Sequence, residues 1–284
     1  MAPRILERAM ERLSAASGLD AVARPLSKKV AAVIPQGVAK DVLSGTWMGH
    51  PLHPLLTDIP IGAWTSAMVL DLLGRPGDEE ASARLIGLGV VSALPTAVAG
   101  LADWSDTLGE DRRVGFVHAV ANVVAVGLYG CSWMARRQGD QRRGVALGWA
   151  GATVATVGGY LGGHLSYRNG VNVDRHAWEH PSDDWEDVAA VVDLEDGKPT
   201  KVSVGHDEVL LVKQDGDILA IHDVCAHMGG PLHEGELSNG CVTCPWHGSV
   251  FRLADGAVVH GPATGPQPAY DVRVSGGRVA LRRR

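Results

Sequence analysis

The chain has 284 residues, 45% of them hydrophobic, and its 26 Lys and Arg against 32 Asp and Glu give a net charge of −6. That acidic balance argues against a nucleic-acid partner, and four cysteines in a chain of this length argue against a secreted disulfide scaffold. The mean hydropathy of +0.03 resembles that of a soluble protein, but it averages two halves of opposite character.

Met1–Ser14 alternates Arg and Glu with Ile5, Leu6, Met10 and Leu13, which predicts an amphipathic helix on a membrane surface. No apolar core follows these early charges, so the segment is not read as a signal peptide. This arm is taken as residues 1–48. Four runs almost free of charge follow: Thr57–Gly74, Leu85–Ala102, Val114–Met134 and Val145–Leu165. Each approaches the roughly 20 residues that cross a bilayer, and only Asp58 and Asp71 carry charge inside them. A soluble bundle would need charged outer faces at helical spacing, and the runs lack them. Residues 49–170 are therefore expected to form an all-α four-helix transmembrane bundle. Gly158, Gly159, Gly162 and Gly163 suit close helix packing, and Cys131 reads as a small buried hydrophobe.

Four crossings alternate in direction, which brings His50, His53, Asp58, Asp103, His118 and His164 to one end of the bundle. Ionisable groups at membrane depth are costly and mark functional sites. Four readings stay open. Imidazoles from different helices would ligate a haem. Histidines with carboxylates would bind a non-haem metal. The group would bond a quinone. Or each histidine caps a helix or bonds a neighbouring carbonyl.

A linker, residues 171–185, holds Asp174, His176, Trp178, Glu179, His180, Asp183 and Asp184, and is expected to be solvated. From residue 186 the pattern turns all-β. Val209–Lys213 and Ile218–His222 flank Asp215-Gly216. Ser249–Leu253 and Ala257–His260 flank Asp255-Gly256. Tyr270–Val274 and Arg278–Leu281 flank Gly276-Gly277. These are hairpin signals. Within this region stand Cys225-Ala226-His227 and Cys244-Pro245-Trp246-His247. Two thiolates and two imidazoles suit either a tetrahedral zinc site or a Rieske [2Fe-2S] cluster. Zinc spacings pair ligands of one kind, whereas each arm here mixes Cys with His, which favours iron and sulfur. Cys241 reads as a strand residue with a free thiol.

With their flanks, Met228-Gly229-Gly230-Pro231-Leu232 and Gly248-Ser249, the two arms resemble the cluster loops of Rieske ferredoxins over residues 186–284. The resemblance implies that Cys225 and Cys244 ligate one iron and His227 and His247 the other. It implies that Gly229, Gly230 and Gly248 let backbone amides approach the sulfides, that Trp246 lies in the shell around the cluster, and that the Ser249 hydroxyl donates to it. Respiratory members carry a disulfide between the loops and a tyrosine two residues past the serine. Gly230, Trp246 and Phe251 stand at those places here, which implies the lower, ferredoxin-like end of the potential range.

The marks Gly49-His50-Pro51-Leu52-His53-Pro54, Asp58-Ile59-Pro60, Gly100-Leu101-Ala102-Asp103-Trp104 and Gly163-His164-Leu165 with Arg168 and Gly170 resemble an uncharacterised bacterial four-helix membrane domain sometimes fused to Rieske domains. The joint expectation is a membrane-anchored one-electron carrier. It would work between a membrane donor or a reductase and a redox partner, or supply a separate oxygenase; a membrane redox sensor is the alternative. Only 37 residues follow His247, too few for the mononuclear iron domain of an oxygenase. From Trp185 onward nine Lys and Arg face fourteen Asp and Glu, a net of −5, which suits docking on a basic reductase surface. Positive charges at the two ends of the helices nearly tie. With no export signal at the start, the β-domain is expected on the cytoplasmic side.

Overall fold

The computed structural model describes residues 2–179 and 184–284. His180 and Asp183 of the linker lie outside them. The chain forms two compact units: residues 1–34 with 52–171, and Pro35–Pro51 with Asn172–Arg284.

The first unit is helical. Helices α1 (Ala2–Ser14) and α2 (Asp20–Val33) precede the long α4 (Leu52–Leu73), α5 (Asp78–Ser105), α6 (Gly109–Arg137) and α7 (Gln141–Gly163); α3 (Val38–Ser44) belongs to the second unit. The four long helices have the length and apolarity to cross a membrane, α7 running on to Arg168. Their ends are set by local chemistry. Asp78, Glu79 and Glu80 open α5, Glu110 and Asp111 open α6, and Arg136 and Arg137 close α6; each charge opposes the helix dipole at its end. The Asp140 side chain caps α7 by accepting from the Arg143 amide at 3.1 Å. On α1, Met10 packs with Val114 and Leu161, so this part of the amphipathic face is taken up by the bundle, while Ile5 and Leu6 stay exposed.

The bundle is layered. Trp64 of α4 stacks on Tyr129 of α6, ring centroids 4.0 Å apart. Gly89 of α5 faces the Trp64 indole, and Gly151 of α7 faces the Tyr129 ring. One layer along, Asp71 and Arg136 form a buried ion pair at 2.5 Å, with Ser82 of α5 donating to Asp71 and accepting from Arg136, and Gly144 of α7 lying against the Arg136 stem. Cys131 faces outward, correcting its expected burial. The outer face of a membrane helix is as apolar as its inner face, so hydropathy does not separate the two.

The second unit is built from three antiparallel sheets. Strands β1 (Glu186–Ala190), β9 (Tyr270–Ser275) and β10 (Arg278–Arg283) pair in the order β1-β10-β9; β2 (Pro199–Val204), β3 (Asp207–Gln214) and β4 (Asp217–His222) pair in sequence; β5 (Glu236–Ser238), β6 (Cys241–Thr243), β7 (Val250–Arg252) and β8 (Val258–His260) form a meander. All three expected hairpins are present. Asp215 and Gly216 both take positive φ, 55° and 89°, the turn geometry that matches strand twist. Strand β3 is buried on both faces. Leu210 and Val212 join Phe251, Leu253, Cys225 and Cys244 in one core, and Val209 and Leu211 join Tyr270, Val279 and Leu281 in the other.

Candidate metal centre

Two loops of the second unit carry the site, and they are built alike. Cys225 follows β4, and the Gly229 amide returns to its carbonyl at 2.8 Å. Cys244 follows β6, and the Gly248 amide returns to its carbonyl at 3.0 Å. Gly229 and Gly248 both lie at positive φ, 81° and 73°, where a side chain is disfavoured. Each turn thus sends its cysteine sulfur back over its own amides. The His227 and Met228 amides point at the Cys225 sulfur, and the Trp246 and His247 amides at the Cys244 sulfur.

The two thiols lie together, hydrogen-bonded to each other. Sharing that proton pushes Cys225 up, helped by burial, and brings Cys244 down to about 7. His227 and His247 face each other with ring centroids 5.2 Å apart and planes at 88°. His227 is buried, and its pKa falls to about 3, first through burial, then through the charges of His247, Lys40 and Arg175. The ring is neutral, as a metal ligand must be. His247 is half-buried and Trp246 is 50% exposed, so the open side of the site lies along the second loop.

This donor set fits an iron–sulfur cluster. Two sulfurs and two ring nitrogens converge at the loop tips, backbone amides aim at the sulfurs, and a Cβ at Gly230 would sit 2.8 Å from the Cys244 sulfur. That same Cβ would lie 3.1 Å from the Trp246 ring, so the indole fills the space between the loops. Ser249 is fully buried. Its oxygen accepts from the Ala263 amide at 3.0 Å, which leaves its proton to donate elsewhere.

Three supports escape a reading by motif. Gln267, 1% exposed, ties the first loop: it accepts from the Ala226 amide at 2.6 Å and donates to the His222 and Val224 carbonyls at 2.8 Å each. His176, expected to be solvated, is buried. Its Nε2 bonds the Val224 carbonyl at 2.9 Å and its Nδ1 meets Glu179 at 3.0 Å. Trp178 is exposed, as expected of the linker. The third support is Pro35–Pro51. Asp41 accepts from the Gly261 amide at 2.7 Å and from His260 at 2.9 Å, Thr46 donates to the Ala263 carbonyl, and Gln36 lies against Gly248.

His176, Glu179 and His222 also place donor atoms within 4.8 Å of one another. This group reads better as an ion-pair clamp than as a metal site. His222 Nδ1 accepts from the Val224 amide, so its proton sits on Nε2. Glu179 is engaged by Arg283 at 2.9 Å, and Arg283 also reaches Asp207. His222 is driven down to about 4 by burial first and by His176 second.

Of the six polar residues expected at one end of the bundle, the structure brings His53 and His118 together, ring centroids 6.3 Å apart. His50 and Asp58 are exposed, Asp103 and His164 are half-buried, and His50 falls in the second unit.

A β-module presenting paired thiols and paired imidazoles on twin loops, joined to a four-helix membrane domain, defines the class: a membrane-attached iron–sulfur protein. Residues 184–271 match the Rieske [2Fe-2S] domain family, and residues 49–175 match a predicted membrane protein family, DUF2231. The chain is 38% identical over 109 residues to the ferredoxin component of the alkene monooxygenase system of Xanthobacter autotrophicus, covering 37% of this chain and 88% of that one. It is 37% identical to the ferredoxin subunit of the 3-phenylpropionate/cinnamic acid dioxygenase of Photorhabdus laumondii, covering 33% and 90%. A mouse protein, apoptosis-inducing factor 3, is 38% identical over 95 residues; the match covers 34% of this chain but only 16% of that protein's length. Among solved structures, the ferredoxin of carbazole 1,9a-dioxygenase from Nocardioides aromaticivorans matches at 30% identity and a TM-score of 0.34, covering 35% of this chain and 98% of that one. The chain belongs to the Rieske [2Fe-2S] family through its C-terminal domain.

Proposed function

We propose that this protein is a membrane-anchored one-electron carrier of ferredoxin type, and that Cys225 and Cys244 hold one iron of its cluster while His227 and His247 hold the other. The convergence of two sulfurs and two neutral imidazoles under aimed backbone amides carries the reading. Bound there, the cluster supplies a site that gains and loses single electrons. The protein does the rest. Amides aimed at the sulfurs favour the more negative, reduced state. The buried side, with Lys40 and Arg175 near His227, excludes water and adds positive charge. The exposed edge at Trp246 and His247 is where a redox partner docks.

Relatives of the domain are named as ferredoxin components of oxygenase systems, which supports a reductase as donor and an oxygenase as acceptor. The acidic balance of the domain suits a basic docking face on such a partner. In this reading the Rieske domain lies on the cytoplasmic side of the membrane.

The test is elemental and spectroscopic. Detergent-solubilised protein is expected to hold two irons and two acid-labile sulfides per chain and, once reduced, to give the paramagnetic signal of a Rieske centre. Zinc in place of iron and sulfide would overturn the assignment. Accessibility of residues near 200 and 280 to a membrane-impermeant label in inverted and right-side-out vesicles tests the side.

A further inference from the structure

The helical bundle repeats itself. His118, Tyr129 and Arg136 of α6 each lie 65 residues after His53, Trp64 and Asp71 of α4, and Gly144, Gly151 and Gly162 of α7 each lie 62 residues after Ser82, Gly89 and Gly100 of α5. The hairpins α4–α5 and α6–α7 are thus two copies of one plan. In each layer, α4 and α6 supply the large groups that meet across the middle, and α5 and α7 supply the small residues that make room for them.

The histidines obey the same plan down to their hydrogen bonds. His53 Nδ1 lies 2.9 Å from the Thr96 carbonyl, and His118 Nδ1 lies 2.8 Å from the Gly158 carbonyl; Thr96 and Gly158 are again 62 residues apart. A carbonyl only accepts, so each Nδ1 carries a proton, and in the neutral ring the lone pair is on Nε2; at His118 the Asn122 amide nitrogen lies 3.3 Å from that Nε2. This is how proteins orient a metal-bound histidine. Gly100 backs the His53 ring and Gly162 the His118 ring: a Cβ there would come within 2.7 and 3.0 Å of them.

Two related imidazoles therefore meet across the bundle, 6.3 Å between centroids with planes at 88°. With metal–imidazole bonds of roughly 2 Å, rings on opposite sides of one ion have centroids about 6 Å apart. Two nitrogens alone leave most of an ion's coordination sphere empty. Among the described residues, the group of three His, Cys, Asp or Glu side chains that could share an ion is His176, Glu179 and His222, in the other unit, so no third residue of these types joins His53 and His118. A porphyrin supplies four in-plane nitrogens and needs two axial ones. Glycines stand behind both rings, at Gly100 and Gly162, and the side chain beside the His118 ring is that of Asn122, which donates to the His118 carbonyl at 2.9 Å.

We propose that the membrane domain binds one b-type haem, with His53 and His118 as its axial ligands. The assignment stands on the bundle alone and does not depend on which residues hold the cluster. The full chain, made in cells supplied with haem precursor and purified in detergent, is expected to show a Soret band and about one haem per chain by pyridine haemochrome, low-spin in the ferric state. His53→Ala and His118→Ala should each lower bound haem at least tenfold, while His50→Ala keeps it. The helical signal and its unfolding midpoint in detergent, unchanged in all three, certify that the bundle is intact, and an unchanged Rieske signal does the same for the other unit. His118→Met retains a side chain that can ligate haem iron, and should keep the haem at a raised midpoint potential. Gly100→Leu keeps both imidazoles but displaces one, and should lose the low-spin spectrum. Purified wild-type protein without a Soret band overturns the proposal. So does a band that survives both alanine variants, or a copper ion, zinc ion or quinone that co-purifies with the histidine pair in place of haem.

Discussion

The protein holds two pairs of facing histidines, and they are made in opposite ways. His227 and His247 sit on loop tips with ring centroids 5.2 Å apart, with their cysteine neighbours close in sequence. His53 and His118 sit on helices 6.3 Å apart, at the same 88° between planes, and are brought together by the register of a whole bundle. The first pair depends on turns, glycines at positive φ and backbone amides. The second depends on helix spacing, with each ring fastened to a carbonyl of the next helix. A loop site is adaptable but needs props; a bundle site is propped from the start but fails if the register slips.

The largest expected effect removes one site while leaving the other intact. Cys244→Ala should abolish the cluster signal and labile sulfide completely, with the helical signal of the bundle unchanged; a native signal in that variant would refute the ligand set. Next is a break confined to the bundle. Asp71→Ala leaves the Arg136 guanidinium buried without its carboxylate, and should cost about 3–5 kcal/mol, read as unfolding in mixed detergent, with the cluster signal unmoved. Loss of helical stability and cluster together would mean the two sites are not independently built.

A third prediction concerns pH. Burial holds His222 neutral in the fold at about 4, against 6.5 for the free side chain. Its contribution is therefore complete above pH 6.5 and drains away as pH falls toward 4, by at most about 3 kcal/mol. His222→Gln should flatten that acid slope of the Rieske domain, and an unchanged slope would exclude His222 as its source. Gln267→Ala strands one amide and two carbonyls under the first loop. It should cost about 2 kcal/mol and speed cluster loss to a chelator relative to wild type. The smallest effect is Ser249→Ala: loss of one donor worth about 1 kcal/mol lowers the midpoint potential by roughly 40 mV. An unmoved potential would mean the hydroxyl does not reach the cluster.

What the sequence disclosed follows from distance along the chain. The proposed cluster ligands fall in two short motifs, and the hairpins announce themselves through Asp-Gly and Gly-Gly turns, so both could be inferred residue by residue. The four helices were legible from apolar length alone. His176, Gln267 and Asp41 were not, because each acts on residues 41 to 220 positions away and sits in no motif. The pairing of His53 with His118 was out of reach of local inspection too, although the repeat at 65 and 62 residues was present in the letters all along. The outward turn of Cys131 was hidden because lipid and protein interior select the same side chains.

The packing of Pro35–Pro51 into the Rieske unit has a consequence for how the protein is made. The ribosome delivers this strap first, then the entire membrane bundle, and only then the sheets it must fasten to. Both pieces have to end in the same compartment, so the number of passes between them must be even whatever their orientation. A fragment begun at residue 172, the natural choice for producing the domain in soluble form, would lack the partners of Gly261, Ala263 and Gly248. It would report on a cluster with one wall missing.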